Sequence, residues 1–140
     1  LVVIYGMGGR FDQEMNSIQA LYKWSAHFQH RLVLFNDRTS AFLLPAGIRN
    51  EIRLPRYGDI PMQQALGEGP TCGLIPIGTR CEFVVTSGLK WNLDGSTALQ
   101  FGGLVSTSNR VMEPVVTVES SHSLVFTAEV ISGVSDTKWD

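Results

Sequence analysis

Three stretches of this 140-residue chain carry residue types that could do chemistry. The first is Gly6-Met-Gly-Gly-Arg-Phe-Asp-Gln13. It follows an apolar, β-branched run and opens a helical period, a place where free backbone N–H groups can hold an anion. It is not a dinucleotide fingerprint, because Phe11 stands where the third glycine belongs, and no Gly-Lys-Ser/Thr follows to make a P-loop. What it offers is Gly8 and Gly9 for close backbone approach, then a guanidinium (Arg10), a carboxylate (Asp12) and an amide (Gln13). The C-terminal end of a strand is where open α/β sheets bind ligands. On pattern alone, a tight turn with Asp12 as a helix cap is the plainer reading.

The second stretch is Thr86-Ser-Gly-Leu-Lys-Trp-Asn-Leu93. Trp91, flanked by Lys90 and Asn92 just past a strand, could be a stacking platform for a planar or cationic ring. Its alternative is a tryptophan covering the core edge. The third is Phe101-Gly-Gly-Leu-Val-Ser-Thr-Ser-Asn109, where Ser106, Ser108 and Asn109 supply small hydrogen-bonding groups. Ser106 and Ser108 are two apart, so an extended strand puts them on one face. An ordinary polar turn is the alternative. No histidine stands nearby to pair with either serine, which argues against a serine hydrolase. His27, His30 and His122 have no metal-ligand spacing, and Cys72 and Cys81 read as small buried hydrophobes.

The elements that must position these groups divide into two stretches. Residues 1–48 read as strand, helix, strand: an apolar run at 1–5, a helical period over 11–28 with Met15, Ile18, Tyr22 and Ser25 on one stripe, and further strands at 31–35 and 40–44. That order predicts a βαβ unit with parallel pairing, its first strand buried. Residues 49–140 hold little that is helical. Short apolar runs at 51–54, 72–75, 82–86, 98–101, 104–107, 115–119 and 124–131 lie between turn residues. They predict an antiparallel sandwich or barrel. Over 124–131, Leu124, Phe126, Ala128 and Val130 alternate with Val125, Thr127 and Glu129, the period of a half-buried strand. Residues 56–71, with Pro61, Gly67, Gly69 and Pro70, read as a long loop.

Composition bounds the answer. Hydrophobic residues make up 44% and charged ones 17%, enough for a real core. A net charge of −2 argues against nucleic-acid binding by bulk charge. No apolar run approaches the length of a membrane span, and two cysteines make neither a disulfide framework nor a four-ligand zinc site. Free thiols point to a reducing, cytoplasmic setting. Leu1 lies inside a strand-like run without a basic leader, so a signal peptide is not expected, and the chain reads as a piece of something longer.

Taken in order, the motifs resemble those of thiamine pyrophosphokinase, in its C-terminal portion. The pieces are Gly8-Gly-Arg-Phe-Asp-Gln13, Phe42-Leu-Leu-Pro-Ala-Gly47, Cys72-Gly-Leu-Ile-Pro-Ile-Gly78, Thr86–Leu93, Phe101–Asn109 and Val116-Thr-Val-Glu119. Gly-Leu-Lys-Trp-Asn-Leu followed by Val-Ser-Thr-Ser-Asn is the most specific pair. The resemblance implies transfer of pyrophosphate from ATP to the thiamine hydroxyl, giving thiamine diphosphate and AMP, with Mg²⁺. It implies a homodimer whose active site lies at the subunit interface. Residues 1–48 would then be the C-terminal part of an α/β domain on the ATP and Mg²⁺ side, and residues 49–140 a thiamine-binding β-sandwich. By resemblance Arg10 and Asp12 would be catalytic, with Asp12 also near the metal. Arg10, Gln13, Gly8 and Gly9 would hold phosphate, while Trp91, Ser106, Ser108 and Asn109 would hold thiamine. The family's acidic motif around Asp-Phe-Asp has no counterpart here: Asp37, Asp59, Asp94 and Asp136 are scattered. The principal Mg²⁺ ligands are therefore expected outside these residues. A sandwich that binds thiamine without catalysis is the alternative, and a purely structural sandwich is a third.

Overall fold

The structure is a computed structural model, and it describes residues 1–54 and 66–132. β1 (Val2–Tyr5), α1 (Phe11–Trp24) and β2 (Leu32–Phe35) form the expected βαβ unit, with β1 and β2 parallel from Val2–Leu32 to Tyr5–Phe35. β3 (Thr39–Leu44) then turns back antiparallel to β2. The turn is closed by Asn36 Oδ1, which accepts from the backbone N–H of Arg38 and Thr39, both at 2.8 Å. Such short-range side-chain bonds are why asparagine favours turns. After β3 come β4 (Arg49–Ile52), β5 (Leu66–Ile75), β6 (Val84–Ser87), β7 (Ser106–Arg110), β8 (Val116–Ser120) and β9 (Leu124–Ser132).

Two sheets result. The larger runs β1-β2-β3-β9-β5-β7 and the smaller β4-β8-β6. The sheet does not stop at residue 48, because β3 pairs with β9 over six positions from Thr39–Glu129 to Leu44–Leu124. The layers are α1, the large sheet and the small sheet. Between the sheets, Leu74, Leu124, Phe126 and Ala128 of the large sheet meet Val84, Val116 and Val118 of the small one, with Cys81 and Leu99 from connecting segments. On the opposite face, Leu21 of α1 packs on Leu32, Leu34, Ala41, Leu43 and Val125. β9 therefore buries both faces between Leu124 and Ala128, where its two-residue alternation had suggested one. The reason is its place in the sheet: it lies centrally between two other layers.

Several expectations change. β1 is the sheet's outer strand and is largely exposed, with Tyr5 61% accessible, so it is not a buried strand. The helix ends at Trp24 rather than Phe28, and the turns that follow pass through left-handed Gln29 (φ 56°) and His30 (φ 57°) into β2. Its buried position is Leu21, with Ser25 buried at the C-cap, while Met15 and Tyr22 stay partly exposed. Tyr22 donates its hydroxyl proton to the Ile77 carbonyl at 3.1 Å and ties the helix to the segment after β5. Residues 98–101 form no strand; Leu99 makes only single bridges to Cys81 and Leu104. The loop expected over 56–71 is strand β5 from Leu66 onward, and its earlier part lies outside the described residues. Among the described residues no helix is long and apolar enough to cross a membrane.

Candidate functional site

The residues singled out by type gather at two places, on opposite edges of the large sheet. The loop leaving β1 carries Gly8, Gly9, Arg10, Asp12 and Gln13. Gly8 (φ 94°) and Gly9 (φ 80°) both occupy the left-handed region, which is why two glycines stand together there. The N-cap of α1 is Arg10, whose side chain makes no cap bond, and Asp12 lies in the helix's first turn. Asp12 takes a forked pair of bonds from Arg10, Nε to Oδ1 at 2.9 Å and Nη2 to Oδ2 at 2.6 Å. The guanidinium holds the Asp12 carboxyl below the usual carboxylate range, and the carboxylate in turn raises Arg10. Both side chains are about two-thirds exposed or more, so the pair is open to an incoming ligand. The Gln13 carbonyl accepts from Ser17 Oγ at 3.1 Å, inside the helix.

The second place is the loop between β6 and β7, laid against β7. Gly88 is left-handed (φ 83°), and a Cβ there would lie 2.5 Å from the Val115 carbonyl oxygen. Its own carbonyl accepts from Met112 N–H at 2.8 Å and Glu113 N–H at 3.2 Å. Asn92 Oδ1 accepts from the Leu89 N–H and from Thr86 Oγ1, each at 3.1 Å, and Thr86 Oγ1 accepts from Leu93 N–H at 2.8 Å. Trp91 sits on this braced turn, 57% exposed, with Lys90 Nζ 4.6 Å from its ring centroid. Thr86 and Asn92 lie in the motif but carried no role on the page of sequence. The signal available is asparagine itself, whose side chain often braces local backbone; here it reaches back three residues to the Leu89 N–H.

β7 corrects the reading of Ser106 and Ser108 as neighbours on one face. Cys72 pairs with Asn109 and Leu74 with Ser106, so three steps on β7 oppose two on β5. The extra residue is a bulge, and Ser108 within it is left-handed (φ 54°). The bulge resets the alternation: Ser106 and Asn109 share a face, with Asn109 Nδ2 donating to Ser106 Oγ at 3.1 Å. Thr107 and Ser108 instead border a shallow groove with Thr71, Gly73 and Thr127. Gly73 is required beneath the bulge, since a Cβ there would come within 2.8 Å of the Ser106 carbonyl oxygen. Asn109 is 4% exposed, with its carboxamide bonded to the Trp91 backbone.

A concavity of about 1070 Å³ among the described residues is lined by none of these; Val3, Val33, Phe35, Phe42 and Ile48 are among those lining it. Both cysteines are free and buried, as expected. Burial pushes the Cys72 thiol up to about 11. For Mg²⁺ the residues present do not fit: among the described residues no three His, Cys, Asp or Glu side chains gather, and Asp12 is already engaged by Arg10.

Residues 50–125 match the family described as "Thiamin pyrophosphokinase, vitamin B1 binding domain". The chain is 42% identical over 127 residues to thiamine pyrophosphokinase 1 of Oryza sativa subsp. japonica, covering 91% of this chain and 43% of that protein. Against thiamine pyrophosphokinase 1 of Arabidopsis thaliana it is 43% identical over 124 residues, 89% of this chain and 42% of the relative. It therefore spans less than half the length of these relatives. Among solved structures, yeast thiamin pyrophosphokinase superposes with a TM-score of 0.74 at 27% identity, covering 91% of this chain and 38% of that one. The Candida albicans protein gives 0.72 at 29% identity, with 91% and 44% covered. The Trp91 turn and the bulged β7 both lie within the matched residues, and the chain belongs to the thiamin pyrophosphokinase family.

Proposed function

We propose that the protein carrying this chain transfers a pyrophosphoryl group from ATP to the hydroxyl of thiamine. The hydroxyl oxygen attacks the β-phosphorus, the bond between that phosphorus and the oxygen bridging to the α-phosphorus breaks, AMP departs with the electron pair, and the hydroxyl proton is released. The observation that carries the reading is the rigidly braced, half-exposed Trp91 within the vitamin B1 binding match. A tryptophan held this way can stack on one ring of the vitamin, and Ser106 can hydrogen-bond its edge.

The charged loop has a different task. Transfer of this type depends on positioning and on neutralising phosphate charge. Arg10 suits the phosphates. Asp12, held ionised by Arg10, suits orienting the attacking hydroxyl better than removing its proton, because a lowered pKa makes a weak base.

The strand order favours a reaction centre shared between two copies over one within a single chain. β1 and β7 are five strand steps apart, about 24 Å at the usual spacing between strands. That exceeds the reach of a two-ring vitamin with its hydroxyl tail. A second copy, bringing its charged loop to the Trp91 edge of the first, removes the conflict and would make the site a shared one. Incubation with thiamine, ATP and Mg²⁺, followed by chromatography, tests the reading. Equal amounts of thiamine diphosphate and AMP are expected from the full-length protein. Thiamine binding without AMP release would leave a vitamin-binding module, and no thiamine binding would refute both.

A further inference from the structure

We propose that Asn109 is a positioning residue that fixes the Trp91 platform, and that it does not itself touch the vitamin. The inference rests on the reading of Trp91 as the stacking surface. A carboxamide has two N–H donors and an oxygen with two lone pairs. All four are taken. Nδ2 donates to the Trp91 carbonyl at 2.9 Å and to Ser106 Oγ at 3.1 Å. Oδ1 accepts from the Trp91 N–H at 3.2 Å and the Arg110 N–H at 2.8 Å. Nothing remains to offer a ligand, and the residue is only 4% exposed.

The arrangement imitates a strand. Asn109 gives residue 91 both of the main-chain bonds that a neighbouring strand would give, and Lys90 N–H donates to the Arg110 carbonyl beside it at 2.8 Å. Few side chains can do this. Aspartate lacks the donors, serine lacks the reach, and glutamine is one methylene too long. The bulge in β7 also gains a purpose. Without the extra residue, Ser106 and Asn109, three apart, would face opposite sides of the strand. The left-handed Ser108 turns Asn109 inward beneath Trp91. Backbone strain of this kind persists where the surroundings hold it in place.

A double-mutant cycle in the full-length protein tests this, with Trp91→Ala, Asn109→Ala and the pair, reading the thiamine KM, the ATP KM and kcat. Trp91→Ala and Asn109→Ala are each expected to raise the thiamine KM about tenfold with the ATP KM unchanged. In the Trp91→Ala background, Asn109→Ala is expected to add less than about twofold, because the platform it holds is gone. If its full cost persists there, Asn109 contacts the vitamin directly and the proposal is wrong. If Asn109→Ala alone leaves the thiamine KM unchanged while Trp91→Ala raises it, the positioning role is overturned and the platform stands. If Trp91→Ala itself changes nothing, the platform reading fails first and the proposal with it. Should Asn109→Ala not fold, Asn109→Asp, which keeps both acceptor bonds and loses both donors, enters the same cycle under the same criteria.

Discussion

Gly88 offers a perturbation whose cost can be separated into parts. An alanine at a left-handed position costs about 1–2 kcal/mol for its backbone conformation. At φ 83° Gly88 would incur that cost, and its new Cβ would also lie 2.5 Å from the Val115 carbonyl oxygen and 3.2 Å from Val116 Cα. Those are backbone atoms of β8 and its approach, so relief requires the turn and the strand to separate. Forced overpacking of this kind adds about 1–3 kcal/mol. Gly102 is the control: its φ is 89°, and a Cβ there meets nothing within 4 Å. The conformational cost, and the small gain from restricting the unfolded chain, are common to both and cancel. Gly88→Ala should therefore be less stable than Gly102→Ala by about 1–3 kcal/mol. For a domain of this size that separates the two Tm values by roughly 4–12 °C. The assay is thermal unfolding of both variants, repeated with urea. Equal Tm values for the two would refute the close approach of the turn to β8. Because Gly88 also anchors the Trp91 turn through Met112 and Glu113, its variant alone should lose thiamine affinity at temperatures where both remain folded.

Three further outcomes are expected. Trp91→Ala should weaken thiamine binding more than about tenfold, a loss above roughly 1.4 kcal/mol, by titration; an unchanged dissociation constant removes Trp91 from the site. Asp12→Asn should lower turnover far more than it lowers the unfolding midpoint, since an exposed ion pair adds little stability. Arg10 depresses the Asp12 pKa, so the ionised pair is complete above the ordinary carboxylate range and opens only as pH falls below it. Turnover should thus show no acid limb due to Asp12 above about pH 5, and a limb there that disappears in Asp12→Asn would contradict the pairing. Finally, Cys72 and Cys81 should resist alkylation at pH 8 until the protein unfolds. The Cys72 thiol, raised by burial to about 11, contributes stability that is fully present below its ordinary pKa and is lost as pH rises from there through about 11. Rapid labelling of Cys72 in the folded protein would show that it is not buried as described.

The parts legible in the sequence were those set by local period. The strand and helix of residues 1–24 follow from a β-branched run and a helical stripe, and β9 follows from strict alternation. What escaped depends on partners distant along the chain. Nothing in Ser-Thr-Ser-Asn announces that Ser108 turns left-handed; that follows from how β7 meets β5 above Gly73. Likewise no glycine marks the end of α1, where Gln29 and His30 take the left-handed turn. The site shows the same division. Trp91, Arg10 and Asp12 could be picked by type, because their chemistry is in the side chain. The role of Asn109 could not, because it depends on which main-chain groups come to meet it.

The position of β9 bears on how the chain is made. It lies between β3 and β5, and Thr127 Oγ1 donates to the Ser40 carbonyl across 87 residues of sequence. Synthesis runs from the N-terminus, so β3 and β5 leave the ribosome well before the strand that joins them. Until β9 arrives, each presents an open row of backbone donors and acceptors to any neighbouring chain. Pairings that distant in sequence also close slowly. The middle of the sheet is thus the last part to be completed, and nascent or truncated chains ending before residue 124 should be the ones that call on chaperones or aggregate.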